Sequence, residues 1–447
     1  MRWLEFPRVV GEAGAKWPAF VIAGSLVCGI ALRLIWPEDI EYKDDERWMF
    51  EHASALLAGA PWPWVSLPSS IGPPNPGMSL WVFAGLAYVS EAQTGPELAR
   101  AVQSLNVLAL LAFASFACFA VPRKERERWL WAGALWAVNP LAIIFERKIW
   151  PPSVLPLATV AMIACWWYRK HFAASVLCGL IGALMAQVHL GIIFLTAALF
   201  AWTWLYDQAS FRWGAWVLGA TLGSLPALPW LLEVVHRSEE AAWRWRFPIP
   251  HFFTRWVSQP FGFGAEYILG DQHYIDYLSS PQIAGLSTYA MAFTHAVLGV
   301  LFVVVMVRAA RAAIAAPRPS ARAVLVGDSR ETVLINACFW GYGGLLTLLT
   351  LIGPSSHRHY LIVTAPIMAM WCVRLVWAGE QNGRWAWSRF VLVGLCLAQA
   401  VTSAGLLQYI HRTHVIRGEY GPTWRSQQSG FVPSGWHQPW TIPPLRP

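Results

Sequence analysis

Asp44, Asp45 and Glu46 come almost directly after a long apolar run, and their types and spacing make them the first candidates for chemistry in this 447-residue chain. The run, 17–36, is about 20 residues long, enough at 1.5 Å per residue to cross a hydrocarbon layer. Three consecutive acids just beyond its end therefore lie at a membrane surface. Carboxylates held there usually serve a reaction or an ion. Neighbouring acids also raise one another's proton affinity, which is a common way of tuning a base. Other segments expected on the same face hold cations: Arg147, Lys148, His189, Arg244, Arg246, His357, Arg358 and His359. Acids on one loop and cations on the others suit an anionic, lipid-linked substrate.

The elements that must position these residues are membrane spans. The chain is 56% hydrophobic and 13% charged, whereas an ordinary soluble domain is about 25% charged. We read an all-α, polytopic membrane protein. Apolar runs at 17–36, 99–121, 129–145, 154–167, 172–186, 190–206, 213–232, 283–307, 332–352, 361–377 and 390–409 predict about eleven spans. Basic loops fall on alternate connections: Arg123–Arg128 with its interspersed acids, Arg169-Lys170, Arg212, the stretch 308–330, and Arg384 with Arg389. With Arg2, Arg8 and Lys16 they predict a cytoplasmic N-terminus, and the chain is expected in the cell inner (plasma) membrane. The same loops account for the net charge of +8, so no nucleic-acid partner is implied.

On this topology the outer segments are 37–97, 146–153, 187–191, 233–281, 353–360 and the tail 410–447. It requires 78–89 to be an interfacial helix in the first outer loop, since a span there would put Arg123–Arg128 outside. The chain divides into a module over 1–377, whose first outer loop is 37–98, and a last span with a short outer tail over 378–447. Trp17, Trp36, Trp129, Trp150 and Trp204 flank apolar runs and are expected in aromatic belts. The seven Cys show neither metal-ligand spacing nor a disulfide framework and read as small core residues. Residues 1–16 have no cleavable signal pattern, so 17–36 is expected to remain as an anchor.

The order of these features resembles the C-type (GT-C) integral membrane glycosyltransferases, in particular the branch of the protein O-mannosyltransferases and the lipid A aminoarabinose transferase. Asp45-Glu46-Arg47-Trp48-Met49-Phe50-Glu51-His52-Ala53 resembles the acidic pair and Ala-containing helix of that family's first outer loop. Gly72-Pro73-Pro74 resembles its Pro-Pro step, and Arg100 the Arg that introduces the next span. Asn139-Pro140 and Phe145-Glu146-Arg147-Lys148-Ile149-Trp150-Pro151 resemble its basic outer turn. His357-Arg358-His359-Tyr360, followed by Pro366, resembles its late element. Two positions depart: Gly72 stands where a Lys or His often precedes the Pro-Pro step, and no acid follows the basic turn near Pro152-Ser153. Both positions help bind donor or acceptor in relatives, so sugar identity is not carried over.

The resemblance implies transfer of a sugar from a polyprenyl-phosphate donor to an acceptor at the outer face. Asp45 would take the acceptor proton, with Asp44 its alternate and Glu46 orienting base or acceptor. Arg358, Arg147, Lys148, His359 and His189 would receive the charge growing on the leaving phosphate. Arg244, Arg246 and Tyr360 would contact the acceptor or close over the site. Blander readings stand beside these. The acids could favour a helix dipole at an N-terminus, and Arg147, Lys148, Arg244 and Arg246 could snorkel to the interface. The acceptor and any divalent metal stay open. Rival readings are a lipid-linked oligosaccharide polymerase or ligase, for which 233–281 partly fits, a lipid-linked sugar flippase or transporter, and a non-catalytic subunit.

Overall fold

Apolar runs become helices because a chain surrounded by lipid must satisfy its own backbone polar groups. The computed structural model describes residues 17–68, 73–209, 211–236, 247–315, 320–353, 357–378 and 386–430. In chain order the helices begin with α1 (Trp17–Leu34), α2 (Asp44–Leu57), α3 (Met78–Ser90) and α4 (Gly95–Phe119). Then come α5 (Arg123–Val138), α6 (Pro140–Phe145), α7 (Pro156–Trp167), α8 (Phe172–Val188), α9 (Ile192–Asp207), α10 (Trp213–Ser224) and α11 (Leu228–His236). Next are α12 (His251–Ser258), α13 (Ala265–Ser279), α14 (Ala290–Ala315), α15 (Ala321–Leu325), α16 (Arg330–Asn336) and α17 (Gly343–Leu349). α18 (Ala365–Trp377), α19 (Ala386–Thr413) and α20 (Trp424–Gln428) complete the set. The described strands form one small hairpin, Gln282–Ile283 against Leu286–Ser287.

Among the described residues, seven helices are long and apolar enough to cross a membrane, and four shorter apolar helices accompany them. The expected span 129–145 is a bent rod built from α5 and α6. Pro140 lacks the N–H that would continue α5, so the rod breaks there. Asn139 closes the gap. Its Oδ1 accepts from Ala142 N–H (3.1 Å), and its Nδ2 donates to the Gln259 carbonyl (2.8 Å) and to Gln399 Oε1 (3.0 Å).

Side-chain contacts sort the loops into two ends. At one, Arg389 binds Glu127 (2.7 Å), Arg128 binds Glu331 (3.2 Å) and Arg169 binds Asp207 (2.6 Å). At the other, Arg100 and Arg147 reach the last carbonyls of α1, His411 reaches Asp39, and Trp150 reaches Asp45. The basic loops collect at the first end and the acidic first loop at the second. α3 does not cross between them. Its 13 residues span only about 20 Å. Asn75, just before α3, meets Leu190 after α8, and Gly95, just after it, lies against Trp424 and Tyr42. Both ends of α3 therefore lie at the acidic end.

α5 is the central rod. Every residue from Trp129 to Val138 is buried, as expected of a helix that is apolar all round. This corrects the aromatic-belt reading of Trp129. Its ring is fully buried among Phe113, Phe116 and Trp167, with centroids 5.5–5.7 Å away. α8 and α10 touch backbone to backbone. A Cβ on Gly219 would overlap the Val176 carbonyl, and one on Gly223 would come within 2.7 Å of the Leu180 carbonyl oxygen. Small residues four apart allow this approach where lipid supplies no hydrophobic drive.

One buried ion pair joins the first and third rods. Arg33 in the last turn of α1 donates to Glu146 (2.7 Å), and both side chains are wholly buried. Trp136 N–H donates to the other Glu146 oxygen (2.8 Å). The Glu146 carbonyl accepts from Asn106 (2.9 Å). Removing one partner of such a pair leaves an uncompensated buried charge, at a cost of about 3–5 kcal/mol. We expect Glu146→Leu to lower the unfolding midpoint in detergent sharply. Arg33→Met with Glu146→Leu should recover most of that loss. A single variant as stable as the parent would remove the pair from the account.

Candidate functional site

The first loop and the turn after α6 build the site. Arg147 and Lys148 are both buried. Arg147 donates to the carbonyls of Leu32 (2.6 Å), Arg33 (3.2 Å) and Trp36 (2.9 Å). The first two are carbonyls of the last turn of α1, which lack helical partners, and the third lies just beyond it and also accepts from Asp39 N–H (3.1 Å). Trp36 itself has φ 47°, in the left-handed region, and Arg147 holds that turn as the chain drops into the first loop. The guanidinium expected at a phosphate is thus engaged on backbone. Lys148 forms an ion pair with Glu41 and lies 3.9 Å from Glu46. It also sits over the rings of Phe145 and Trp150, at 5.1 and 5.2 Å.

The three acids separate in environment. Asp44 and Asp45 are exposed in the first turn of α2, and Glu46 is buried. Burial and the facing Glu41 push the Glu46 carboxyl well above the usual carboxylate range, against the pull of Lys148 and Lys43. Asp45 is open to water on one side and crowded by protein on the others. That crowding raises its proton affinity, while the Trp150 indole N–H (3.2 Å) and Lys43 oppose the rise. Asp45 is therefore an accessible carboxylate with a raised proton affinity, and Glu46 is a buried one behind it.

Trp150 links the acids to a group of imidazoles. Its ring meets His359 edge-on at 4.7 Å between centroids. His359 in turn packs against His189 (5.2 Å), His357 (5.3 Å) and Tyr360 (4.5 Å). Tyr360 is buried, and its ring lies so close to Gly191 that a Cβ there would overlap it. Burial, then His357, pushes the His189 imidazole down to about 4, so it is neutral at ordinary pH. Next to His359, Arg358 stacks over Tyr267 (4.4 Å) and pairs with Glu266 (3.2 Å) at the start of α13. Arg255 on α12 adds a further charge facing Arg358 and His357.

Of the residues singled out from sequence, Asp45, His189, His359 and Tyr360 are brought into one connected set through Trp150, and Arg358, their neighbour in sequence, turns to Tyr267 and Glu266. Asp44 stands beside it in the first turn of α2. Glu46 and Lys148 lie behind it, and Arg147 is turned to α1. Arg244 and Arg246 lie outside the described residues. Sequence reasoning missed the roles of Trp150, Lys43, Glu41, Arg255 and Tyr267. The first three stood in the charge cluster and the basic turn, where a signal existed. Among the described residues no three His, Cys, Asp or Glu side chains converge as metal ligands.

No family model matches the chain, and no curated protein matches it. Among solved structures it is similar to ArnT from Cupriavidus metallidurans in the apo state, at 13% identity and a TM-score of 0.49, covering 88% of this chain and 75% of that one. It is similar to the same protein bound to undecaprenyl phosphate, at 14% identity and a TM-score of 0.45, with 89% and 76% covered. It is also similar to the oligosaccharyltransferase AglB from Archaeoglobus fulgidus in complex with an inhibitory peptide and a dolichol-phosphate, at 12% identity and a TM-score of 0.45. That match covers 93% of this chain and 57% of the oligosaccharyltransferase.

A hydrogen bond to the ionised form of an acid lowers its proton affinity. Trp150→Phe removes the indole donor from Asp45, so the carboxyl should hold its proton to higher pH. Carbodiimide attacks the protonated acid, and peptide mass spectrometry reads its labelling at Asp45 across pH. We expect the labelling midpoint to move up in Trp150→Phe. A midpoint unchanged or lower would show that the indole does not govern this carboxylate.

Proposed function

We propose that this protein is a glycosyltransferase that moves a sugar from a polyprenyl-phosphate donor to an acceptor hydroxyl, with Asp45 as general base. The observation that carries the reading is the Asp45–Trp150–His359 arrangement. It joins, through one indole, an accessible carboxylate of raised proton affinity to a group of imidazoles beside Arg358 and Arg255, at one end of an apolar bundle. That arrangement suits a displacement with charge changing at both ends. The acceptor O–H attacks the anomeric carbon, its proton passes to Asp45, and the carbon–oxygen bond to phosphate breaks. The electron pair leaves on the polyprenyl phosphate.

The phosphate-facing groups in this reading are Arg358, Arg255, His357 and His359. Arg offers two parallel donors in one plane to phosphate oxygens. Glu266 pairs with Arg358 at 3.2 Å, and an arriving phosphate would compete with it for the guanidinium. Such donors aid the reaction as far as they bind the departing phosphate better than the bound ester. Arg147 and Lys148 hold the turn that carries Trp150, a supporting role at one remove from the donor. The lipid tail would lie among the exposed apolar side chains of the outer helices. By the rule that basic loops stay in the cytoplasm, the site would face the outside, with the N-terminus in the cytoplasm.

Two outcomes test the reading. Cells lacking the protein should accumulate a polyprenyl-phosphate-linked sugar, seen by mass spectrometry of their lipid extract, and the parent gene should clear it. Asp45→Asn should fail to clear it at normal expression, since losing a general base costs about 10²–10⁴ in rate. Clearance by Asp45→Asn with Asp44 intact would move the base elsewhere, and no change in lipid-linked sugars would remove the donor class. In the same assay Arg358→Lys should clear better than Arg358→Ala, because Lys keeps the charge and loses the fork. Equal clearance by both at the parent level would take Arg358 out of the site.

A further inference from the structure

The described chain beyond α19 does not leave the bundle. It turns at His414, φ 61°, and runs back across the first loop. Val415 pairs with Pro422, and Thr423 with Glu41, as antiparallel bridges. Tyr42 N–H donates to the Pro422 carbonyl (3.0 Å), and Trp424 N–H donates to the Ile40 carbonyl (3.0 Å). The Trp424 ring meets Tyr42 edge-on at 4.4 Å. On its other side the strap binds α13: Glu419 and Tyr420 N–H donate to the carbonyls of Tyr267 (3.4 Å) and Ile268 (3.1 Å). Gly418 permits that approach, because a Cβ there would overlap the Leu269 carbonyl carbon.

The strap's polar groups converge on the residues just before the acids. Lys43 Nζ donates to the Glu419 carbonyl and lies 3.9 Å from its carboxylate and 2.9 Å from Glu41. Gln427 Nε2 donates to the Tyr42 carbonyl. Buried Tyr420 donates its O–H to the Asp39 carbonyl, and Arg425 binds Glu38 (3.1 Å) and Asp39 (3.5 Å). Lys43 is the residue before α2, and Asp45 is the second residue of that helix. A lysine at a loop edge is a flexible four-carbon chain that water would otherwise leave mobile. Here one end of the protein is folded over it.

We propose that residues 414–428 are a positioning element for Asp45, which act by holding Lys43 and the turn that launches α2 in one geometry beside the carboxylate. The proposal rests on the reading of Asp45 as the base, and it names what keeps that base in place. The strap touches neither donor nor acceptor in this account. It sets where the carboxylate stands and which charges surround it. The groups that face Asp45 are Lys43, Asp44, Glu41 and Glu46, with the Trp150 N–H, and Lys148 lies behind them against Glu41 and Glu46. Lys43 is the cation of this set that lowers the proton affinity of Asp45. A Lys43 released from Glu419 would do so less, since exposed charges are screened by water and salt.

The test reads the proton on Asp45 directly, so it needs no substrate. The probe is a carbodiimide with an amine trap, applied across pH to the full chain in detergent, with labelling at Asp45 read by peptide mass spectrometry. Lys43→Gln should move the labelling midpoint up, and Lys43→Arg should restore it. A chain ending at Thr413 should show the same upward shift, and adding Lys43→Gln to it should shift the midpoint no further. If the shortened chain is not monodisperse, Tyr420→Phe with Gln427→Ala in the full chain takes its place, again with an upward shift expected. A midpoint at the parent value without the strap contacts would overturn the proposal, as would a full additional Lys43→Gln effect in the shortened chain. Neither result depends on transfer. A clearing Asp45→Asn variant would sink the base while leaving the strap measurement intact, and the reverse combination would sink only the strap.

Discussion

The site depends on one buried pair, Arg33 with Glu146. An ion pair so placed must be complete, because either charge alone would be stranded away from water. Completing it fixes the end of α1 to the turn after α6. Arg147 then closes the α1 carbonyls, Asn106 holds the Glu146 and Ser153 carbonyls (2.9 Å each), and Ser153 donates to Phe145 (2.6 Å). A turn pinned at so many points can present two side chains with little freedom. Those two are Lys148, which balances Glu41 and Glu46, and Trp150, which reaches Asp45. The charges that look superfluous to chemistry are the ones that make its geometry reproducible.

Seen from that turn, Trp150 stands between the Asp45 carboxylate and the segment that carries His359 and Arg358. Direct contact between Asp45 and the Arg358 cluster would lower the carboxylate's proton affinity and weaken it as a base. Interposing an indole keeps them apart while linking them mechanically. The N–H steadies the carboxylate, and the ring edge meets His359. Tyr267 and Glu266 hold Arg358 in place much as Trp150 holds Asp45. The strap over Lys43 belongs to the same scheme, in which charged side chains of the candidate site are held by neighbouring groups.

Much of this was legible from residue order, and the failures have physical causes. The apolar runs, the split of basic and acidic loops between two ends, and the interfacial character of 78–89 all follow from hydrophobic length and charge side. Asp45 draws notice from sequence alone because an acid beside a bilayer needs a reason to be there, and its role as a base is a proposal. Trp129 was misread because a tryptophan at the edge of an apolar run looks the same whether lipid or Phe113 covers it. Arg147 was read as a phosphate ligand because its role depends on carbonyls more than a hundred positions away. The return of the tail to Lys43 spans 376 positions, and no local pattern announces such a pairing. Arg255 escaped because its helix is short and its neighbours in sequence are mostly aromatic and apolar, with no second charge beside it.

The proposed function requires one end of the bundle to hold a polyprenyl phosphate between α12, α13 and the segment around His359. Photolabelling tests it most directly, with a polyprenyl phosphate that carries a photoreactive group at its phosphate and mass spectrometry to locate the adducts. The account predicts adducts within 251–267 and 357–360, competed by unlabelled undecaprenyl phosphate and lost in Arg358→Ala. Competed adducts confined to the opposite end, around Arg123–Arg128, would contradict it.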